Sequence, residues 1–282
     1  MRGMQRRLSL ALVAISLAVV AACVPRSSLL EGAITDDLRA GAESGQSTFD
    51  HSRFDSLLST HSRVEQGRVD YSGLAQDGQA LAEYVGSLGS AQLRNLPRAE
   101  QKALLINAYN AFTLTLILEN HPAVESIRDL RDPWGQSRWI LGGHTVSLDE
   151  IEHGLLRPLY RDPRVHFALN CASVGCPPLR DRAFVAAELN GQLDAAATGA
   201  LARPQYAHID DGKLALTSIL KWFGDDFTDP GSVGSASTVQ RWAARYAPGE
   251  VSAFVGAADS GPPIRWIDYD WTLNDVAPSP HQ

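Results

Sequence analysis

The chain reads as α+β: a mostly helical single domain with a small antiparallel sheet and a buried central helix. Three observations predict this. Residues 104–118 are apolar all round a helical wheel, which a helix shows only when protein surrounds it. Helical periodicity recurs at Phe54, Leu57 and Leu58 and again through 74–88. Extended pieces, by contrast, are short and few.

The N-terminus stands apart from the fold. Arg2, Arg6 and Arg7 precede an almost wholly apolar stretch at 8–22, shorter than the roughly twenty residues that a spanning helix needs. It ends in Val20-Ala21-Ala22-Cys23, small residues before a cysteine, as in a bacterial lipobox. Residues 1–22 are therefore expected to be a lipoprotein signal peptide, with acylated Cys23 anchoring the chain in a lipid bilayer. Val24 follows, not Asp, which favours the outer over the inner membrane, the domain facing the periplasm. Residues 23–48, rich in Ser, Gly, Ala and charge, read as a flexible tether after the lipidated cysteine. The domain is expected over 49–277 and a disordered tail over 278–282.

Within the domain, 53–60 is a helix, 67–71 a short extended piece and 74–88 a second helix ending at Gly89. The strongest helix runs over 100–119 and stops at His121-Pro122. Ile140-Leu141 and His144-Thr145-Val146 form a hairpin across Gly142-Gly143. Ser147-Leu148-Asp149-Glu150 is a capping box opening a helix to about Arg157. Alternation over 166–171 predicts a strand. A helix over 183–201, a strand at 213–216, a helix capped by Thr217 or Ser218, helices near 239–246 and 251–255, and a closing strand at 264–273 complete the chain.

A net charge of −7 with no basic run excludes nucleic acid as a partner, because neutralising phosphates needs clustered Lys and Arg. That leaves the bilayer, through Cys23, and an unidentified small molecule or envelope protein. No cofactor is expected.

Possible chemistry concentrates in residues 165–180, where His166, Asn170, Cys171 and Cys176 lie close together. On a strand, His166, Ala168 and Asn170 share one face and Phe167, Leu169 and Cys171 the other, so His166 pairs with Asn170 and Cys171 needs a base from elsewhere. His153 is such a base: Asp149, His153 and Arg157 lie at i, i+4 and i+8. Asp149 orients His153 in the catalytic reading; in the plainer one the three form a solvated ladder. Asn107 and Asn110 sit on the apolar helix, where each buried amide needs partners or costs about 1–3 kcal/mol. They either line a cleft or bridge to a neighbouring loop's backbone. Asp268 and Asp270 alternate with Tyr269 and Trp271; a solvent-facing pair is favoured over acid–base work.

Three readings of the domain cysteines compete. A structural Cys171–Cys176 disulfide comes first, because exported proteins meet oxidising conditions and the spacing closes a small loop. Second is a thiolate nucleophile at Cys171 with His153 or His166 as base, in papain–transglutaminase style. A metal site from His166, Cys171 and Cys176 comes last, because the spacing is not that of a zinc knuckle.

The blocks Gly67-Arg68-Val69-Asp70-Tyr71, Ile106-Asn107-Ala108-Tyr109-Asn110-Ala111-Phe112-Thr113 and Ser147-Leu148-Asp149-Glu150-Ile151-Glu152-His153, with His166-Phe167-Ala168-Leu169-Asn170-Cys171-Ala172-Ser173, Cys176-Pro177-Pro178-Leu179-Arg180 and Tyr269-Asp270-Trp271, form a recognisable set. With these motifs the chain resembles the bacterial lipoprotein branch of the domain of unknown function 547 family over 69–274. The resemblance implies one domain whose motif blocks converge; it implies no activity. The favoured function is a ligand- or partner-binding module with its loop pinned by Cys171–Cys176. The alternative is a thiol-dependent hydrolase or acyltransferase. Either predicts that Asn107, Asn110, His153, His166 and Asn170 meet in space.

Overall fold

The structure, a computed structural model, describes residues 32–258 and 261–276. The expected signal peptide, Cys23 and the tail at 278–282 lie outside the described residues. Among the described residues no helix is long and apolar enough to cross a membrane.

The fold is organised around α5 (Arg98–Leu118), the expected central helix, in which every residue from 101 to 117 except Thr115 is buried. Its N-terminal Gln101 donates to the carbonyls of Leu38 and Leu96, at 2.7 and 2.9 Å, and so ties two neighbouring segments to it. One of these is α1 (Ala33–Ser44), a helix within the segment expected to be a flexible tether. Its buried stripe is Thr35, Leu38 and Gly41, with a single large apolar residue, so hydrophobic periodicity could not reveal it. A Cβ at Gly41 would lie 2.3 Å from the Leu93 carbonyl oxygen, so this close approach requires glycine.

Helix α2 (Ser52–His61) leads into the antiparallel pair β1 (Ser62–Arg63) and β2 (Arg68–Val69). The helix expected over 74–88 is divided at Asp77 into α3 (Tyr71–Gln76) and α4 (Gly78–Gly89). The predicted hairpin is β3 (Trp139–Leu141) and β4 (His144–Val146), joined by Gly142 and Gly143 at φ 57° and 83°, as a type I′ turn demands. The capping box is also present: the Glu150 N–H donates to Ser147 Oγ and the Ser147 N–H to Glu150 Oε2. The helix it opens is a π-helix over Glu150–Leu156, running into α6 (Arg157–Tyr160).

Residues 166–171 are not a strand. Pro163–Phe167 form a 3-10 helix, capped where the Arg164 N–H donates to the Asp162 carboxylate. All of 162–170 is buried, so the apparent alternation never separated a core face from a solvent face. A buried ion cluster anchors this segment, with Lys102 Nζ 2.5 Å and Arg164 Nη2 2.6 Å from the Asp162 carboxylate. Helix α7 (Leu189–Leu201) starts later than expected because Asn107 takes up both backbone polar groups of Phe184.

Strand β5 (Ala207–Asp210), absent from the sequence reading, pairs antiparallel with β6 (Lys213–Thr217). Helices α8 (Ile219–Trp222), α9 (Gly224–Thr228), α10 (Val239–Ala243) and α11 (Gly249–Gly256) follow. Strand β7 (Ile264–Ile267) then pairs parallel with β6, making the three-stranded sheet mixed. This sheet packs with Phe167, Phe227 and Trp242 in a second core cluster beside that of α5. The closing strand ends at Ile267, not at 273. Beyond it the chain crosses to the α5 side, bonding to the backbone of Val174, Gly175 and Val69 on the way.

A cleft around Cys171

Asn170 builds the loop that presents Cys171. Its Nδ2 donates to the Pro177 carbonyl at 2.8 Å, and its Oδ1 accepts from the Ala172 N–H at 3.0 Å and from Asn274 Nδ2 at 3.4 Å. From α5, Asn110 Nδ2 donates to the Ala168 carbonyl, and Asn110 Oδ1 accepts from the Asn170 N–H. Between these fixed points Ala172 turns through φ 60°, a left-handed conformation that an alanine keeps only when its surroundings hold it. The Tyr206 hydroxyl donates to the Cys176 carbonyl and closes the far side.

The loop is thus pinned by amides and not by the expected disulfide. Cys171 and Cys176 are free thiols, and the Cys171 N–H donates to Cys176 Sγ at 2.9 Å. Asn107 grips Phe184, outside the cleft. The side-chain amides of Asn107, Asn110 and Asn170 all hold backbone in place. Asp268 and Asp270 are exposed.

Cys171 opens into a cavity of about 280 Å³. The cavity's polar lining includes Asp149, Glu152, His153 and His166; its aromatic lining comprises Tyr109, Trp134, Trp222, Phe223, Tyr269 and Trp271. The structure therefore brings Cys171, Cys176, His153, His166 and Asp149 together. The Ser173 and Tyr269 hydroxyls lie 3.2 and 3.1 Å from Cys171 Sγ, in reach to donate to a thiolate. The neighbouring Cys176 thiol contributes most, and these two hydroxyls add to it. Together they outweigh burial and the Glu152 charge, bringing the Cys171 thiol down to about 7. Burial and the Cys171 contact push the Cys176 thiol well above its ordinary value.

The two histidines differ sharply. His166 is 4 % exposed and stacks on Phe223, with ring centroids 4.0 Å apart. Its Nε2 lies 2.7 Å from Asp226 Oδ2 and its Nδ1 3.6 Å from Glu152 Oε1. Burial works to lower the ring's pKa, but the hydrogen bonds and charges of Asp226 and Glu152 prevail and hold it above the ordinary value. Both ring nitrogens are thus directed at carboxylates, and His166 makes no hydrogen bond to Cys171. It does not pair with Asn170 either, whose amide is spent on the loop. His153 is open to solvent, with Nε2 3.8 Å from Asp149 Oδ1 and Nδ1 3.2 Å from Arg157 Nη1. The Asp149–His153–Arg157 ladder is present. It continues inward, where Arg157 donates to both Asp226 oxygens at 2.6 and 2.9 Å.

Sequence reasoning missed Glu152, Asp226, Tyr269 and the aromatic wall. The alternation of Tyr269 and Trp271 with Asp268 and Asp270 was legible, but alternation alone does not say which face lines a cavity. Glu152 lay inside the Ser147–His153 motif, but a π-helix, not a regular helical face, turns it to His166, and Asp226 carried no signal because a distant helix brings it there. Among the described residues no group of three or more His, Cys, Asp or Glu is placed to hold a metal ion, so the set His166, Cys171 and Cys176 is not a ligand cluster.

Fold and site together define an α+β domain with a thiol-bearing, aromatic-walled cleft. A model of the family described as "Protein of unknown function, DUF547" matches residues 93–199, and over that span the chain resembles the family. The span includes Asn107, Asn110, Asp149, His153, His166, Asn170 and both cleft cysteines; Tyr269 and Trp271 fall outside it. No curated protein and no solved structure matches the chain.

Proposed function

We propose that the chain is an exported envelope lipoprotein whose domain is a thiol-dependent acyltransferase or hydrolase with Cys171 as nucleophile. The observation that carries this reading is a free thiol at the base of a cavity, with Ser173 and Tyr269 hydroxyls directed at its sulfur. The thiolate attacks a carbonyl carbon to form a thioester. His153 lines the same cavity beside Asp149 and is the group that moves protons to the leaving group and from the acceptor.

Lipid anchoring rests on Val20-Ala21-Ala22-Cys23, and the choice of the outer membrane on Val24, which follows where Asp would favour the inner one. A second reading, a ligand- or partner-binding module, is favoured by the exposed Trp222 at the cavity. On that reading the loop is pinned by Asn110 and Asn170.

The test is incubation with p-nitrophenyl acetate followed by peptide mass mapping. Acetyl on the Cys171 peptide, absent from a Cys171→Ser variant, supports the acyltransferase. Acetylation confined to lysines in both proteins leaves only the binding module.

A further inference from the structure

We infer that the cleft beside Cys171 takes a primary ammonium group; on the acyl-transfer reading, on which this inference rests, that amine is the acceptor that collects the acyl group. The sign of the lining decides between ligand charges. No lysine or arginine lines the cavity, whereas Asp149 and Glu152 both do. The buried imidazole of the lining, His166, has both nitrogens directed at carboxylates, of Glu152 and Asp226, and offers none to a ligand. An anionic ligand would face these carboxylates and the Cys171 sulfur; the nearest guanidinium groups, Arg157 over Phe223 and Arg128 over Trp271, do not line the cavity, and Arg157 is already bonded to Asp226.

The aromatic lining suits a cation as well. Trp222, Tyr269 and Trp271 form a continuous aromatic surface, with centroids 4.9 Å apart for Trp222–Tyr269 and 4.6 Å for Tyr269–Trp271. Trp222 is 48 % exposed, so much of its surface is uncovered. This surface already receives a cation, for the Arg128 guanidinium lies 5.3 Å over the Trp271 ring. Cations within about 6 Å of an indole face are attracted by its quadrupole. At about 280 Å³ the cavity holds a group the size of one aliphatic side chain.

The chemistry balances. The bound ammonium gives one proton to His153, and the resulting amine attacks the thioester carbonyl. A C–N bond forms, the C–S bond breaks, Cys171 leaves as thiolate, and the second nitrogen proton passes to solvent.

The experiment titrates pentylammonium, pentan-1-ol and pentanoate into the Cys171→Ser variant of the full mature chain, followed by tryptophan fluorescence. The expected result is pentylammonium binding at least about tenfold tighter than pentan-1-ol, with pentanoate weakest. Asp149→Asn should weaken pentylammonium about threefold or more without changing pentan-1-ol, and Trp222→Ala, at an exposed position, should weaken pentylammonium. Equal binding of ammonium and alcohol, or tightest binding of pentanoate, overturns the inference. The readout needs no thiol. Ammonium binding without any Cys171 acetylation therefore keeps the site and discards acyl transfer. An acetyl-enzyme whose decay pentylammonium does not accelerate, in a cleft that does not bind it, discards this inference alone.

Discussion

On the floor of the cleft, Asn110 and Asn170 give their side-chain amides to backbone groups of the cysteine loop, and the whole segment 162–170 is buried. At the rim, Trp222 is 48 % exposed at the end of a four-residue helix, and the His153 side chain is 40 % exposed. The floor is over-determined by hydrogen bonds; the rim rests on ring contacts and one turn of helix. The difference assigns roles. A nucleophile must be held still, whereas a surface that receives substrate must let it in. The two histidines follow the same division, His166 held between carboxylates in the wall and His153 open to solvent.

The largest expected effect breaks the floor. Asn170→Ala removes the partner of the Ala172 N–H and the Pro177 carbonyl, at a cost of about 2–4 kcal/mol in urea denaturation, since each stranded buried group costs about 1–3 kcal/mol. A loss under about 0.5 kcal/mol would erase the contrast between floor and rim.

His166→Gln comes next, at about 1–3 kcal/mol, because it strips the charged partner from Glu152 and Asp226. The pH dependence has a defined sign. With its folded pKa raised, His166 contributes fully below its unfolded value of about 6.5, and the contribution disappears as pH rises through the folded value. Glu152 and Asp226, both held below the usual carboxylate range, contribute above about 4 and lose that contribution as pH falls through their lowered values. The variant should therefore lose more stability at pH 5.5 than at pH 9. A loss independent of pH would mean a neutral His166.

Tyr269→Phe deletes one donor to the Cys171 sulfur and should raise the midpoint of Cys171 alkylation by up to about one pH unit, roughly 1.4 kcal/mol, with little change in melting temperature. Smallest of all, Trp222→Ala should alter stability by no more than about 0.5 kcal/mol, as exposed positions do.

What the sequence made legible divides along the same line. The buried central helix, the Gly142-Gly143 hairpin and the Ser147 capping box rest on local patterns, and all three are present. Of the two readings weighed for Asn107 and Asn110, bridging to loop backbone is the one realised. Period-two alternation at 166–171 misled because burial there surrounds the segment. The aromatic rim comes from α8 and the chain after β7, joined only through tertiary packing, and no local spacing encodes that meeting.

Everything proposed for the cleft turns on Cys171 being a free, low-pKa thiol in an open cleft while Cys176 is shielded. The most direct test is the pH–rate profile of iodoacetamide labelling of the native protein without reductant, resolved by peptide mass. The account predicts Cys171 labelling with a midpoint near pH 7 and Cys176 unlabelled. It is contradicted if neither cysteine labels until a reductant is added, or if Cys171 titrates at the ordinary thiol value of about 8.5.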